Sequence, residues 1–153
     1  MKDLRMLAKN PDLRPQVIAD CVTLIDQQIK TKKGLSGMAV KTAYGLVKAL
    51  KPSMIEKSAD SLLNAFTEQL QVYYQHYQEE GSNGSLEQYL SARASNVAES
   101  LLQITDRRAS LSRNKTAVKA YNKLRPKGKE HVEIAVPEIG KLLDKHVVNL
   151  SNF

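Results

Sequence analysis

Apolar residues recur every three or four positions along nearly the whole chain, and nowhere do they sustain the alternation of two that a half-buried strand requires. This period confines the chain to helices joined through apolar stripes. The expected fold is all-α, a single domain over residues 1–153 built as a bundle of about six or seven helices. Leu, Ile, Val and Phe supply 39 of the 153 residues, above the level of roughly 20% below which chains stay disordered. Cys21 is the sole cysteine, so no disulfide and no multi-thiolate zinc site contributes.

Punctuation divides the periodic segments. Asn10-Pro11 reads as an N-cap and first-turn pair for a helix whose stripe is Ile18, Cys21, Val22, Ile25 and Ile29, ending before a left-handed Gly34. Ser36 or Gly37 opens a second, with Val40, Ala43, Tyr44, Val47 and Leu50 on one face and Lys51-Pro52 as its stop. Ser53 and Glu56 form a capping box for a third, which runs through Leu62, Leu63, Phe66, Leu70, Tyr73, Tyr74 and Tyr77 to Gly81. Ser85 and Gln88 repeat that pattern before Leu86, Leu90, Ala94, Val97, Leu101 and Ile104, and the short loop makes these two helices neighbours. A fifth helix beyond Asn114 should stop at Pro126 and Gly128, and a last helical region follows from Lys129 to Val148, with Pro137 in a first turn or at a kink. Gly45, inside a helical pattern, wants a closely approaching neighbour to offset its entropic cost.

Ala39-Val40-Lys41-Thr42-Ala43-Tyr44 is similar to Ala117-Val118-Lys119-Ala120-Tyr121 with one residue removed, and Leu50-Lys51-Pro52 to Leu124-Arg125-Pro126. Two related three-helix halves, roughly residues 10–80 and 85–150, would explain the match; chance among common helix formers is the alternative.

Charge is the strongest functional signal. The chain carries a net +7, concentrated in residues 1–51 and 113–130 and opposed by an acidic stretch at 52–80. Lys115, Lys119, Lys123 and Lys127 are spaced by four with no acid between them, which makes them the candidate anion-binding residues. Lys32, Lys33, Lys41 and Lys48 are secondary members. A solvated helix face accounts for the same spacing, and neither a nucleic-acid motif nor aromatic interleaving beyond Tyr121 is present.

Other chemistry finds little support. Gly34-Leu35-Ser36-Gly37 lacks the P-loop pattern and reads as a helix end followed by a Ser36 cap. His76, His131 and His146 form no HExxH or HxxxH pair; His76 with Glu79 or Glu80 gives at most two ligands, and all three histidines are expected at surface or boundary positions. Cys21 falls on an apolar stripe, as an inert buried thiol does. No catalytic residue, metal site or cofactor is expected.

Arg14-Pro15, the Gly34-to-Tyr44 segment, Lys51-Pro52, Tyr89-Leu90 with Arg93-Ala94, Leu101-Leu102 with Thr105-Asp106, and Ala117 to Leu124 together resemble an uncharacterised bacterial family of small all-helical proteins, a domain of unknown function. The resemblance implies a helical fold and transfers no activity. Met1 to Lys9 alternates charges with single apolar residues, and no span of about 18 apolar residues exists, so a soluble cytoplasmic protein is expected. The functional expectation is a non-enzymatic interaction or scaffold protein with an unknown protein partner or self-association. The alternative is low-specificity binding of nucleic acid or an anionic membrane surface through the basic strip.

Overall fold

The computed structural model describes residues 1–151 and forms one all-α bundle. Seven helices are present among the described residues: α1 Met6–Lys9, α2 Arg14–Thr31, α3 Gly34–Leu50, α4 Met54–Glu79, α5 Leu86–Ser91, α6 Ala94–Leu111 and α7 Lys115–Val147. The core joins Leu4, Leu7 and Val17 to Leu63, Leu70 and Tyr74 of α4, Leu86 and Leu90 of α5, Val97 and Leu101 of α6, and Val136 and Leu143 of α7.

Local signals were often outvoted by packing. Asn10 does not cap α2: its Oδ1 accepts from Asp12 N at 2.8 Å in an Asx turn, an additional helix α1 precedes it, and α2 starts at Arg14 with Pro15 in its first turn. Arg14 then reaches back to the Ala8 carbonyl and across to Asp60 and Asn64, which ties α1 and α2 to α4. Ser53 lies in the helical region and makes no capping bond, so its expected capping box is absent. The Ser85–Gln88 box is present in both directions, and Asp144 of α7 adds carboxylate acceptors for Leu86 N and Glu87 N at 2.9 and 3.0 Å.

The expected fourth helix is two. It breaks at Ala92-Arg93, where the Arg93 guanidinium lies 3.7 Å from the Tyr89 ring centroid and donates to the Tyr89 carbonyl. By contrast, Pro126 and Pro137 stop nothing and sit inside the single helix α7. An interior proline costs about 3 kcal/mol, but α7 is fastened on both sides of Pro126. Arg125 reaches Asp106 at 2.8 Å and Glu99 at 3.6 Å, and Lys129 meets Glu99 at 3.7 Å. Beyond Pro137, Gly140, Leu143 and His146 are buried.

Glycines mark the close approaches, at different places than expected. Gly45 faces open space. Gly140 instead packs on α5, where a Cβ would overlap Glu87 Cα and lie 3.1 Å from its N and Cβ; at Gly37 a Cβ would lie 2.8 Å from the carbonyl carbon of Lys32. Gly34 is left-handed as expected, with φ of +74°, but it does not end α2, which closes at Thr31 on an extended Lys32; Gly34 is instead the first residue of α3, and Ser36 caps nothing.

Candidate functional site

Asn114 opens α7 by accepting from Ala117 N at 3.0 Å, and this fixes the phase of the basic strip. Lys115, Lys119, Lys123 and Lys127 are all exposed. Lys127 pairs with Glu130 at 3.7 Å, whereas no carboxylate lies within ion-pair distance of the other three among the described residues. A shallow groove of about 410 Å³ runs beside them, lined by Ser110, Ser112, Lys115, Val118, Lys119 and Asn122. Arg113 is exposed as well, whereas Arg125 and Lys129 turn toward α6: Arg125 holds the Asp106 carboxyl below its usual range, and the Tyr121 hydroxyl donates to Asp106 and meets Thr105 Oγ1 at 2.9 Å.

Helices α2 and α3 meet in a similar junction. Tyr44 of α3 donates to Asp26 of α2, and Lys48, one turn beyond Tyr44, approaches Asp26 at 3.5 Å. Burial, and then Asp26, pushes the Tyr44 phenol up to about 12. In both places a tyrosine and the cation four residues on clasp an aspartate of the preceding helix. Lys32 is withdrawn from any surface role. It is buried against Gly37, its Nζ donates to the His131 carbonyl at 3.3 Å, and burial lowers its pKa.

What sequence reasoning missed is the outer side of α3. The face Val40, Ala43, Tyr44 and Val47 does turn toward the bundle, but Leu50, expected with it, is 79% exposed. Leu35, Met38 and Leu46 stand out with it at 89%, 64% and 59%. Gly37 is the only residue of α3 that is buried. A helix apolar on both faces was the signal available, because Leu35, Met38 and Leu46 lie off the Val40–Val47 face at a period of 3.6.

Beneath α3 lies a partly open apolar cavity of about 280 Å³, bordered by Leu24, Tyr44, Leu62, Phe66, Leu101 and Leu142. Cys21 also borders it, and burial raises its thiol to about 11, so at neutral pH it is no nucleophile. The tyrosines of α4 serve packing. Tyr73 bonds Ser100 at 2.9 Å, Tyr77 donates to the Gly84 carbonyl at 2.7 Å, and Tyr77 stacks edge-on with Tyr89.

The histidines depart from the expectation of surface or boundary positions in one case. His76 is exposed and His131 half-buried, but His146 is 2% exposed, with Nε2 2.7 Å from Asp20 Oδ2. Lys145, bonded to the same oxygen at 2.8 Å, and then His146 hold Asp20 below the usual carboxylate range. Both ring nitrogens of His131 are buried without a partner among the described residues. No group of three His, Cys, Asp or Glu is placed to hold a metal ion among the described residues, and no helix there is long and apolar enough to cross a membrane.

Residues 4–147 match the model of a family of unknown function (DUF6918), and the chain belongs to that family. No curated protein and no solved structure matches it.

Proposed function

We propose that this member of a family of unknown function is a non-catalytic interaction protein whose working surface is the outer face of α3. One observation carries the reading: a helix of 17 residues buries none of its apolar side chains fully and presents Leu35, Met38, Leu46 and Leu50 to solvent along one side. Contiguous exposed apolar surface marks interaction sites in folded proteins, whereas single exposed leucines do not. The residues of the family resemblance fit a scaffold role, because Arg14, Tyr44, Arg93, Asp106 and Tyr121 all clasp one helix to another or fix a helix end. The paired Tyr44–Asp26–Lys48 and Tyr121–Asp106–Arg125 junctions support reading residues 10–80 and 85–150 as two related halves.

The test is the double substitution Leu46→Ser with Leu50→Ser, made on exposed positions so that the fold is retained. Association of the parent, with itself or with another surface, should weaken in the variant at an unchanged melting temperature. An association that both proteins share equally would remove α3 as the working surface.

A second reading rests on the separate strip of Lys115, Lys119 and Lys123, which are exposed and free of carboxylates within ion-pair distance. If this strip binds polyanions, a triple Lys→Gln variant should flatten the slope of log K against log salt on duplex DNA by about 0.9 per lost phosphate contact. Equal binding by parent and variant, or none by the parent at low salt, leaves a solvated helix face.

A further inference from the structure

Resting on the reading of α3 as the working surface, we propose that its partner is an anionic lipid surface, on which the helix lies flat. The helix is 17 residues long, about 25 Å at 1.5 Å per residue. At 100° per residue, Leu35, Met38, Ala39, Thr42, Leu46, Ala49 and Leu50 fall within one sector of its circumference, and all are exposed. Lys41 flanks that sector on one side, Lys48 lies farther round toward Asp26, and Lys33 and Lys51 bracket the helix ends. An apolar stripe edged by lysines is the pattern of a helix lying in the plane of a membrane interface.

The charge around α3 selects the lipid over other occupants. From Gln27 to Ile55 the chain has six lysines and no Asp or Glu. Lys32 is buried and Lys48 is shared with Asp26, which leaves Lys30, Lys33, Lys41 and Lys51 exposed with no carboxylate in ion-pair distance among the described residues. A second copy of this chain packed on the same face would bring these lysines against their equivalents, a like-charge juxtaposition that costs affinity. Duplex nucleic acid would satisfy the lysines but leave the leucines without a partner. An anionic bilayer surface meets both demands, with headgroup charge for the lysines and the acyl boundary for the stripe.

Helix α7 carries different residues at the same distances from its own junction tyrosine. Counting from the tyrosine of each Tyr–Asp–cation junction, the residues two and six positions on are Leu46 and Leu50 after Tyr44, but Lys123 and Lys127 after Tyr121. All four side chains are exposed. Where α7 carries lysine at these two distances from its tyrosine, α3 carries leucine.

The experiment uses the full chain and vesicles of phosphatidylcholine, with and without phosphatidylglycerol. The chain has no tryptophan, so Leu46→Trp supplies a single reporter at the centre of the stripe. Cosedimentation with the anionic vesicles, a blue shift of that tryptophan, and weakening by salt are expected, with little binding to phosphatidylcholine alone. Leu46→Ser with Leu50→Ser should abolish binding while the circular dichroism stays unchanged. Lys41→Gln with Lys51→Gln should weaken it by about 30-fold, from a factor of about five per lysine near an anionic surface, and the Lys115, Lys119 and Lys123 triple variant should bind as the parent does. No binding to anionic vesicles, binding that survives loss of the leucines, or binding lost only with the α7 lysines would overturn the proposal. Self-association or nucleic-acid binding that depends on Leu46 and Leu50 without vesicle binding would also overturn it, but would leave α3 standing as an interaction surface.

Discussion

Two helix-interior glycines should respond to the same substitution with opposite signs. In an exposed helix Gly→Ala gains up to about 1 kcal/mol from backbone entropy. Gly45 is exposed, with open space where a Cβ would stand, so Gly45→Ala should stabilise by that amount. Gly140 carries the same propensity gain, but its Cβ would overlap Glu87 Cα and sit 3.1 Å from Glu87 N and Cβ. Those atoms are backbone or close to it, so no rotamer change relieves the clash. Helix α7 or α5 must move, at a cost of about 1–3 kcal/mol for an overpacked interface. The movement also pulls Asp144 away from Leu86 N and Glu87 N, where it bonds at 2.9 and 3.0 Å, and a lost cap costs about 1 kcal/mol more. The net is a loss of about 1–3 kcal/mol for Gly140→Ala, against a gain of up to about 1 kcal/mol for Gly45→Ala. In thermal unfolding followed at 222 nm, each kcal/mol moves the midpoint of a chain this size by about 2–4 °C, so the two variants should fall on opposite sides of the parent. A Gly140→Ala protein as stable as the Gly45→Ala one would refute the close seating of α7 on α5. Asp144→Ala is the companion measurement, with a loss of about 1–2 kcal/mol expected from the cap alone.

Leu63→Ala and Leu101→Ala should each destabilise by about 2–5 kcal/mol in urea titrations, because both are buried and border the apolar cavity, which truncation enlarges; losses under about half a kcal/mol at both sites would contradict this packing. Burial, helped by Lys32, holds the His131 imidazole below its ordinary pKa of 6.5. The unfolded chain therefore takes up that proton first, and the contribution of His131 to stability is complete above about pH 6.5 and declines as the pH falls below it. His131→Gln should flatten that part of the stability profile, and an unchanged profile would place the acid sensitivity elsewhere. Asp106, held low first by its bonds to Arg125 and then by Tyr121, contributes above its ordinary value of 3.8 and loses that contribution on further acidification; Asp106→Asn should remove this lower step, and a step that persists in the variant would assign it to another carboxylate.

Much of the helical architecture was legible in the chain because burial at a period of 3.6 is a property of consecutive residues. The stripe from Leu62 to Tyr77, the Ser85–Gln88 box, the Asn114 start and the left-handed Gly34 all depend on neighbours within a turn or two, and all stand in the structure. The family resemblance also drew on residues whose order the sequence itself displays, and it held. Failures came where a partner distant in sequence decided the outcome. Pro126 does not end its helix, because Asp106 and Glu99 of α6 hold one part of α7 and α5 receives Gly140 and Asp144 of another. Gly45 and Gly140 look alike in sequence, and only the path of α5 separates them. The exposed side of α3 was equally hidden. Composition showed a helix with apolar residues all round, which a buried helix also has, and only the tertiary arrangement left Leu35, Met38, Leu46 and Leu50 without a neighbour to cover them. Periodicity reports that a face avoids water; which surface relieves it is a long-range fact, set by where the rest of the chain goes.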